Sequence, residues 1–336
     1  MKNATTNETK NEDMAAAVRG MLSDLPKGLS LIELPMERRG FRFFISAWFF
    51  TDGLGRRVLV DPGPACSVPV LFDALSKLTD DIDLVLLTHI HLDHSGGIGQ
   101  VCERYKSARV IVHPRAKRHL AEPAKLWKGS LETLSSIAEM YKEPLPLPPE
   151  RIIENAEGID IIETPGHATH HLCFSVRTDS AALFFLGEAA GLSLPVGSSA
   201  SSVYLRPTTP PVFNLQSAAE SINKIEASLR GDEILIYAHW GATRDHTRIA
   251  LAKKQLDNWS GIIFDKLAAT VSPSGADASR PDDNIIRDIM ETIISEDPLI
   301  SGFSSLPDDI KDRERKFIKN SVTGFYMSCE NTLRGA

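Results

Sequence analysis

Three histidines and one aspartate fall within six residues of the segment LLTHIHLDHSGG. They are His89, His91, Asp93 and His94. His89 and His91 are two positions apart, so in extended backbone their side chains point to the same side. Asp93 and His94 come after the end of a predicted strand and can turn toward a second ion. Four residues of metal-ligating type at this spacing rarely coincide by chance, and the segment therefore predicts a metal site.

Three further candidate ligands each come directly after a predicted strand. They are His167 in ETPGHATHH, Glu188 in LFFLGEAAG and His239 in ILIYAHWG. Strand ends that meet at one edge of a sheet are a common place for an active site. The complete set predicts two divalent ions about 3.5–4 Å apart, which lower the pKa of a bridging water and supply hydroxide near neutral pH. Asp93 is placed to orient that hydroxide and take its proton, so it is the candidate catalytic residue.

The first part of the chain alternates strand-like and helix-like runs that can hold these residues in place. DIDLVLLTH, which leads into His89, is a continuous apolar run of strand length, as expected of a strand covered on both faces. Upstream, TDGLGR predicts a hairpin turn and RVLVDPG predicts a strand that ends at Asp61. Residues 114–142 predict helical structure with a break at Gly129.

The second part of the chain repeats this strand-rich pattern. GIDIIETPGH, HLCFSVRT and AALFFLGE predict three successive strands, and EILIYAH predicts a later one. Helices are predicted at about 215–230 and about 245–269. The segment between Gly191 and Phe213 has little periodicity and many serines and prolines, so it predicts a long functional loop.

Both ends of the chain differ from this pattern. The polar N-terminus, MKNATTNETKNEDM, predicts that the first dozen or so residues are frayed. SPSGADASRPDD, at residues 272–283, predicts a linker. Beyond it, NIIRDIMETIISE and DDIKDRERKFIKNSVTGFYMSCENTL predict amphipathic helices with no strand signal.

Composition excludes several classes of protein. The 336 residues suit one large domain with an appendage, or two domains. A net charge of −7 gives no basic surface for nucleic acid. The four cysteines form no CxxC pair, which argues against a disulfide framework and against a cysteine-based zinc site. Without a secretory signal or an apolar run that could span a bilayer, we expect a cytoplasmic protein that does not associate with membranes.

The order HxHxDH, Gly-His, Gly-carboxylate and a late histidine resembles the metallo-β-lactamase superfamily of hydrolases over about residues 28–250. This resemblance implies an α/β (α+β) fold, namely the αββα metallo-β-lactamase sandwich, here with an all-helical C-terminal extension. The resulting domain prediction has three parts. Residues 1–27 form a partly disordered N-terminal segment, residues 28–250 form the metal-binding catalytic domain, and residues 251–336 form a helical region that caps the active site.

The resemblance also implies a role for each candidate ligand. It assigns three histidines to a first metal ion: His89, His91 and His167. It assigns one aspartate and two histidines to a second ion: Asp93, His94 and His239. Glu188 takes the place of the bridging carboxylate, where most members have aspartate, and the extra methylene puts the spacing of the ions and the filling of the second site in question. Asp61 matches a position that supports the site from behind, and His171 matches one that often carries a histidine near the ligands. The ions in this family are usually zinc, sometimes iron or manganese.

The predicted function is a metal-dependent hydrolase that uses a metal-bridged hydroxide on a small ester, thioester or lactone. Helical C-terminal extensions roof the pocket in glyoxalase II and in the thioesterase of the quinolone pathway, which resemble this chain in that feature. The sequence shows no evident basic cluster for the carboxylates of glutathione, so an acyl thioester or ester is preferred over the glyoxalase II substrate. The alternatives are a phosphodiesterase, an alkylsulfatase, which Glu188 favours slightly, and a regulatory binding protein that retains the metal site. The expected partner is a small-molecule substrate, with a homodimer as a further option.

Overall fold

Two β-sheets pack face to face in the computed structural model, which describes residues 6–196, 203–270 and 282–335. The first sheet has six strands in chain order: β1 (Ser30–Glu33), β2 (Ser46–Thr51), β3 (Arg57–Val60), β4 (Leu84–Leu86), β5 (Arg109–Ile111) and β6 (Ile152–Ile153). The strands from β1 to β3 pair antiparallel, and those from β3 to β6 pair parallel. All of β4 is buried, which fits the predicted strand covered on both faces.

The second sheet contains the strands that precede the later candidate ligands. Its five strands are β7 (Ile159–Glu163), β8 (Leu172–Arg177), β9 (Ala182–Gly187), β12 (Glu233–Tyr237) and β13 (Ala242–Thr243). They lie in the order β13, β12, β9, β8, β7, and β12 runs parallel to β9. β10 (Leu192–Pro195) and β11 (Val203–Arg206) form a separate antiparallel hairpin.

One apolar core joins the inner faces of the two sheets. Phe50 of β2 stacks on Phe185 of β9 with ring centroids 5.4 Å apart. Trp48 of β2 is fully buried and donates its indole N–H to the carbonyl of Tyr237 at the end of β12, at 3.3 Å. Truncating a core aromatic residue of this kind typically costs about 3–5 kcal/mol, so these contacts hold the two sheets in a fixed relation.

Helices cover the outer face of each sheet. Those that pack beside the first sheet are α2 (Val68–Leu75), α3 (Leu92–Ser95), α4 (Ile98–Arg104), α5 (Lys117–Ala121), α6 (Ala124–Leu134) and α7 (Ser136–Tyr141). Those that pack beside the second are α1 (Asn7–Ser23), α8 (Leu215–Ser228), α9 (Thr247–Thr270), α10 (Asp283–Glu296) and α11 (Asp308–Gly335). The predicted αββα sandwich with a helical C-terminal region is confirmed. Within the described part of the chain, no helix combines the length and apolar character needed to cross a membrane.

The prediction of a frayed N-terminus is wrong from Asn7 onward, because α1 packs against the body of the protein. Met14 and Val18 are buried in the core beneath the second sheet. The side chain of Asn7 accepts a hydrogen bond from the backbone N–H of Asp308 at the start of α11, at 2.8 Å. Lys10 lies 3.5 Å from the carboxylate of the same aspartate. Residues 1–5 lie outside the described residues.

The predicted helix break at Gly129 is also wrong. Gly129 lies inside α6, where an interior glycine costs only about 1 kcal/mol relative to alanine. The helical stretch breaks instead at two other places. Pro123 separates α5 from α6, because a proline inside a helix removes a backbone hydrogen bond. Ser135, with φ of 49°, separates α6 from α7.

The segment between Gly191 and Phe213 contains the β10–β11 hairpin, where the sequence predicts a long loop. Leu192 and Leu194 are buried in the core while their neighbours are only half-buried, an alternation too short to be recognised in the sequence. Residues 197–202 lie outside the described residues, as does most of the predicted linker at 272–283. The predicted domain boundary at residue 251 falls inside α9, and the three-part domain division stays a prediction.

Candidate metal centre

The segment after β4 places two histidine nitrogens side by side. The chain leaves β4 at Leu86 and enters the short helix α3 at Leu92, with His91 as its N-cap residue. Nε2 of His89 and Nδ1 of His91 lie 3.0 Å apart, so the two side chains share one side, as the spacing predicts. Asp93 and His94 lie in the single turn of α3.

Four ligand atoms form a first cluster. Nε2 of His167 lies 3.0 Å from Nδ1 of His91. Oε2 of Glu188 lies 3.2 Å from Nε2 of His89 and 3.0 Å from Nε2 of His167. Ligands about 2.0–2.1 Å from a tetrahedral zinc ion are separated by about 3.4 Å, so the four atoms have the spacing of one coordination shell.

A second cluster lies on the other side of the same carboxylate. Oδ2 of Asp93 is 3.7 Å from Nε2 of His94 and 3.7 Å from Nε2 of His239. Glu188 faces this cluster too, because its Oε2 is 3.4 Å from Nε2 of His94 and its Oε1 is 3.3 Å from Nε2 of His239. The structure therefore brings all seven predicted ligands together in two groups that share one glutamate.

Backbone carbonyl groups fix the orientation of two of the rings. Nδ1 of His167 donates to the carbonyl of Thr208 at 2.8 Å, and Nδ1 of His239 donates to the carbonyl of Phe44 at 3.0 Å. A carbonyl oxygen can only accept, so each Nδ1 carries the proton and each Nε2 presents a lone pair to the centre. These two partners could not be predicted from the sequence, because any residue type supplies a backbone carbonyl.

Asp61 and Thr88 orient His89 and His94 by contacting the Nδ1 side of each ring, opposite the Nε2 that faces the clusters. The backbone N–H and the hydroxyl of Thr88 donate to the two oxygens of Asp61, at 2.9 and 2.7 Å. Since that hydroxyl proton points at Asp61, the Thr88 oxygen is free to accept from Nδ1 of His89, which lies 3.1 Å away. Oδ2 of Asp61 is also 3.4 Å from Nδ1 of His94. Asp61 thus lies where the sequence predicts a supporting residue.

His171 holds the backbone at Glu188. Its Nε2 accepts the backbone N–H of Glu188 at 3.0 Å, and its Nδ1 lies 2.8 Å from the hydroxyl of Thr164. Burial and the neighbouring His167 hold the pKa of His171 well below its ordinary value, which keeps Nε2 free to accept. Gly187 precedes the glutamate with φ of 54°, and a Cβ there would lie 2.3 Å from Nε2 of His171. Only glycine fits this approach to the site.

The electrostatics of the clusters favour a bound cation. Burial and the neighbouring histidines hold the pKa values of His89 and His91 well below the ordinary value of histidine, so both are neutral and able to coordinate. Burial alone would lower the pKa of His94, but Asp93 and the other carboxylates beside it raise that pKa well above its ordinary value. A proton and a metal ion are favoured at His94 by the same negative charges.

His94 also shows that the residues fit a metal. Its ring is fully buried and Nδ1 faces Asp61 at 3.4 Å. Nε2 faces the carboxylate of Glu188 at 3.4 Å but forms no hydrogen bond with any described residue. A buried polar nitrogen without a partner is costly, and a metal ion bound at Nε2 removes that cost. Nitrogen and carboxylate oxygen donors without cysteine suit zinc, iron and manganese.

Comparison with known proteins agrees with this geometry. The sequence model of the metallo-beta-lactamase superfamily matches residues 40–239, a span that contains all seven candidate ligands. The metallo-beta-lactamase fold-containing protein ST1585 of Sulfurisphaera tokodaii is 27% identical over 217 residues, which cover 59% of this chain and 76% of that protein. The crystal structure of ST1585 from Sulfolobus tokodaii, at 22% identity, has a TM-score of 0.53 and covers 81% of this chain and 96% of that chain.

A hydroxyacylglutathione hydrolase of Stenotrophomonas maltophilia is 28% identical over 127 residues. That match covers 38% of this chain and 40% of the hydrolase, so the chain spans less than half of that relative's length.

Proposed function

The chain belongs to the metallo-beta-lactamase superfamily, and we propose that it is a hydrolase that uses two divalent metal ions, with zinc preferred, to cleave a small ester, thioester or lactone. The observation that carries the proposal is the position of Glu188. One of its oxygens faces His89 and His167 while the other faces His239. A single carboxylate directed at two groups of ligands suits two ions rather than one.

The residues of the two clusters would hold these ions, which when bound would polarise a scissile carbonyl and bring the pKa of a bound water near neutrality. The side chains of the protein supply the rest. Asp93 is partly exposed, at 16%, whereas Glu188 is almost fully buried. Asp93 is therefore the carboxylate that an attacking water can reach, and its role is to accept the proton of that water at the carboxylate oxygen that is not a metal ligand. Asp61 and Thr88 keep His89 and His94 aimed at the centre while this happens.

The choice of an acyl substrate rests on two further points. The name of the Stenotrophomonas relative, a hydrolase of hydroxyacylglutathione, supports an acyl compound for this chain as well. The second point is the roof that the sequence predicts from the helices beyond residue 251, which stays a proposal. It is supported by a contact of α11 with Thr209, the neighbour of Thr208: the hydroxyl of Thr209 donates to the carbonyl of Ser321 at 2.7 Å. A cytoplasmic location, the absence of nucleic-acid or membrane partners, and a homodimer remain predictions.

Initial rates on a panel of substrates test the proposal. The panel holds an acyl-CoA thioester, S-lactoylglutathione, an aryl ester, an acyl-homoserine lactone, a phosphodiester and an alkyl sulfate. We expect turnover of one acyl class well above the others, lost on metal removal and restored by zinc. Turnover confined to the phosphodiester or the sulfate would replace the acyl proposal with one of those activities. No turnover with two ions bound per chain would favour a regulatory binding protein.

A further inference from the structure

A pocket of about 190 Å³ lies between the loop that follows β1, helix α7 and helix α11. We call it the arginine pocket and define it by six of its lining residues: Arg38, Arg39, Phe41, Arg313, Lys316 and Phe317. The rings of Phe41 and Phe317, with centroids 6.2 Å apart, form its apolar wall. Pockets for whole drug-sized ligands are typically about 300–1,000 Å³, so this one suits a single small group of a larger molecule.

Four cationic side chains line the arginine pocket, against two carboxylates, those of Asp309 and Asp312. Asp309 is engaged by Arg42, whose Nε and Nη2 donate to it at 2.9 and 3.0 Å. Asp312 lies 3.6 Å from Arg39, but both side chains are mostly exposed, so water screens their attraction. The carboxylates therefore do not neutralise the pocket.

Two of the cations have no acidic partner among the residues that the structure describes. Arg38 donates only to the hydroxyl of Ser136, at 3.4 Å, and its guanidinium lies 5.4 Å from the centroid of the Phe41 ring. Lys316 is exposed on α11. Among the residues that the structure describes, neither forms an ion pair, so their charges are available to an anion in the pocket.

Arg313 contributes a buried donor that lacks a partner. Its side chain is 1% exposed, and its Nε donates to Glu314 at 2.9 Å. Its Nη1 donates to the carbonyls of Gly40 and Arg42, at 2.6 and 2.8 Å. Its Nη2 is buried and has no hydrogen-bond partner in the described part of the chain. Buried donors nearly always form a hydrogen bond, so the unpaired Nη2 indicates that an acceptor enters the pocket from outside the chain.

The ring of Phe44 lies between the arginine pocket and the metal centre. The guanidinium of Arg313 lies 4.6 Å from the centroid of the Phe44 ring, and the ring of Phe317 lies 4.9 Å from it. The same Phe44 ring stacks on the imidazole of His239, with centroids 4.5 Å apart. A group bound in the pocket is thus about one aromatic ring away from a candidate metal ligand.

Helix α7 provides a second connection. Ile137 lines the arginine pocket, and Tyr141 follows it by one helical turn on the same face. Helix α7 also contacts α3, whose single turn carries Asp93. One helix therefore reaches from the pocket to the candidate catalytic carboxylate.

We propose that the arginine pocket binds an anionic group, a carboxylate or a phosphate, carried by the substrate at a distance from the scissile bond. This inference rests on the proposed hydrolase function and narrows its substrate class to anionic acyl compounds. An oxygen of the anionic group accepts a hydrogen bond from Nη2 of Arg313 and is attracted by the positive charges of Arg38 and Lys316. The methylene groups next to the anion contact Phe41 and Phe317.

A binding experiment tests the pocket without turnover. The full-length, metal-free protein is titrated by calorimetry with inorganic phosphate and, separately, with succinate; the metals are removed because both anions also bind metal ions. We expect one of the two to bind, which identifies the anion. Arg38→Gln and Lys316→Gln should each weaken that binding about tenfold, the effect of losing one charge-assisted contact. Both residues are peripheral to the core, unlike the buried Arg313, so we expect their variants to fold.

Lys319→Gln is the matched control. It removes the same charge from the same helix, but Lys319 pairs with Asp283 at 2.7 Å and does not line the pocket. We expect this variant to bind the anion as the unmodified protein does. Equal weakening in Lys319→Gln, or no binding of either anion to the unmodified protein, would overturn the proposal.

Kinetics on the zinc-loaded protein give a second readout. The pair of substrates is para-nitrophenyl hemisuccinate, which carries a free carboxylate, and para-nitrophenyl acetate, which does not. We expect Lys316→Gln to lower the ratio of kcat/KM for hemisuccinate over acetate, mainly through a higher KM for hemisuccinate, and Lys319→Gln to leave that ratio unchanged. An unchanged ratio in Lys316→Gln contradicts the inference. If the protein hydrolyses neither ester, the hydrolase proposal is weakened, while the calorimetry still decides whether the pocket binds anions.

Discussion

Oε1 of Glu188 lies 3.3 Å from Nε2 of His239, whereas Oε2 lies 3.0 Å from Nε2 of His167 and 3.4 Å from Nε2 of His94. Aspartate, one methylene shorter, is the residue that the resemblance leads one to expect here. The longer side chain nonetheless lies 3.2 Å from His89 of the first cluster and 3.3 Å from His239 of the second, so its length does not prevent it from facing both.

Glu188→Gln should therefore lose metal from the second cluster first. The amide keeps the shape of the side chain but removes the negative charge that both clusters share. We expect the metal content to fall from two ions per chain to one or fewer, and hydrolysis to fall at least about a hundredfold. Elemental analysis after dialysis measures the first effect. Two tightly held ions per chain in this variant would show that Glu188 does not bridge them.

His91→Ala should remove metal and activity while the fold remains. His91 presents Nδ1 to the first cluster, 3.0 Å from Nε2 of both His89 and His167, and is only partly buried, so its loss opens no large cavity. His119→Ala is the matched control, since His119 lies on α5 and belongs to neither cluster. Metal analysis and circular dichroism of the two variants are compared. Full metal content and unchanged turnover in His91→Ala would refute its role as a ligand.

Thr88→Val tests the support behind the ligands. The substitution keeps the volume but removes the hydroxyl that joins Asp61 to His89. We expect zinc affinity, measured by competition with a chelator, to fall about tenfold, as is typical when a partner of a metal-ligating histidine is lost. Thr88→Ser, which restores the hydroxyl, should recover most of that affinity. Equal zinc affinities in the valine and serine variants would mean that the hydroxyl does not orient His89.

The lowered pKa of Glu314 predicts a contribution to the stability of the fold that is lost in acid. This residue lies away from the metal centre. Burial works to raise its pKa, but Arg206 and Arg313 beside it lower that pKa from 4.5 to about 2. A carboxyl whose pKa is lower in the folded state stabilises the protein above the unfolded pKa, and this stabilisation is lost as the pH falls toward the folded pKa. The difference corresponds to about 3 kcal/mol at neutral pH.

Urea unfolding of the metal-free protein at several pH values measures this contribution. Glu314→Gln should be less stable by about 3 kcal/mol at neutral pH, since it leaves two buried arginines without their anion. The deficit should shrink below about pH 4.5 and be nearly absent near pH 2. Glu291→Gln is the control, because Glu291 pairs with Arg315 at the surface, where such pairs contribute about 0–1 kcal/mol. A deficit in Glu314→Gln that does not change with pH would contradict the ionised state of Glu314.

The sequence indicates which residues cluster at the candidate metal centre better than it indicates the groups around them, and the reason is physical. His89, His91, Asp93 and His94 have side chains that bind metals, at a spacing that few other structures require. Their orienting groups are different in kind: the carbonyls of Phe44 and Thr208 could belong to any residue type. Only the folded chain shows which carbonyls lie behind which rings.

The elements that the sequence does not predict share a weak local signal. In α1, only Met14 and Val18 are buried, so the sequence shows no clear apolar stripe. The helix is held in place by these tertiary contacts. The arginine pocket combines two short basic runs that are far apart in the sequence, Arg38-Arg39 and KDRERK at 311–316, and neither run alone predicts a pocket. Arg38 and Lys316 lie near opposite ends of the chain, which is why the sequence shows no basic cluster although the structure has one.

The contact between Asn7 and Asp308 can form only late in the synthesis of the protein. All seven candidate ligands precede α9 in the sequence and therefore leave the ribosome before it, whereas Arg313 and Lys316 come from α11. The side chain of Asn7 acquires its partner only after the start of α11 has been synthesised. On the nascent chain, the complete set of metal ligands thus exists before the pocket that we propose selects the substrate.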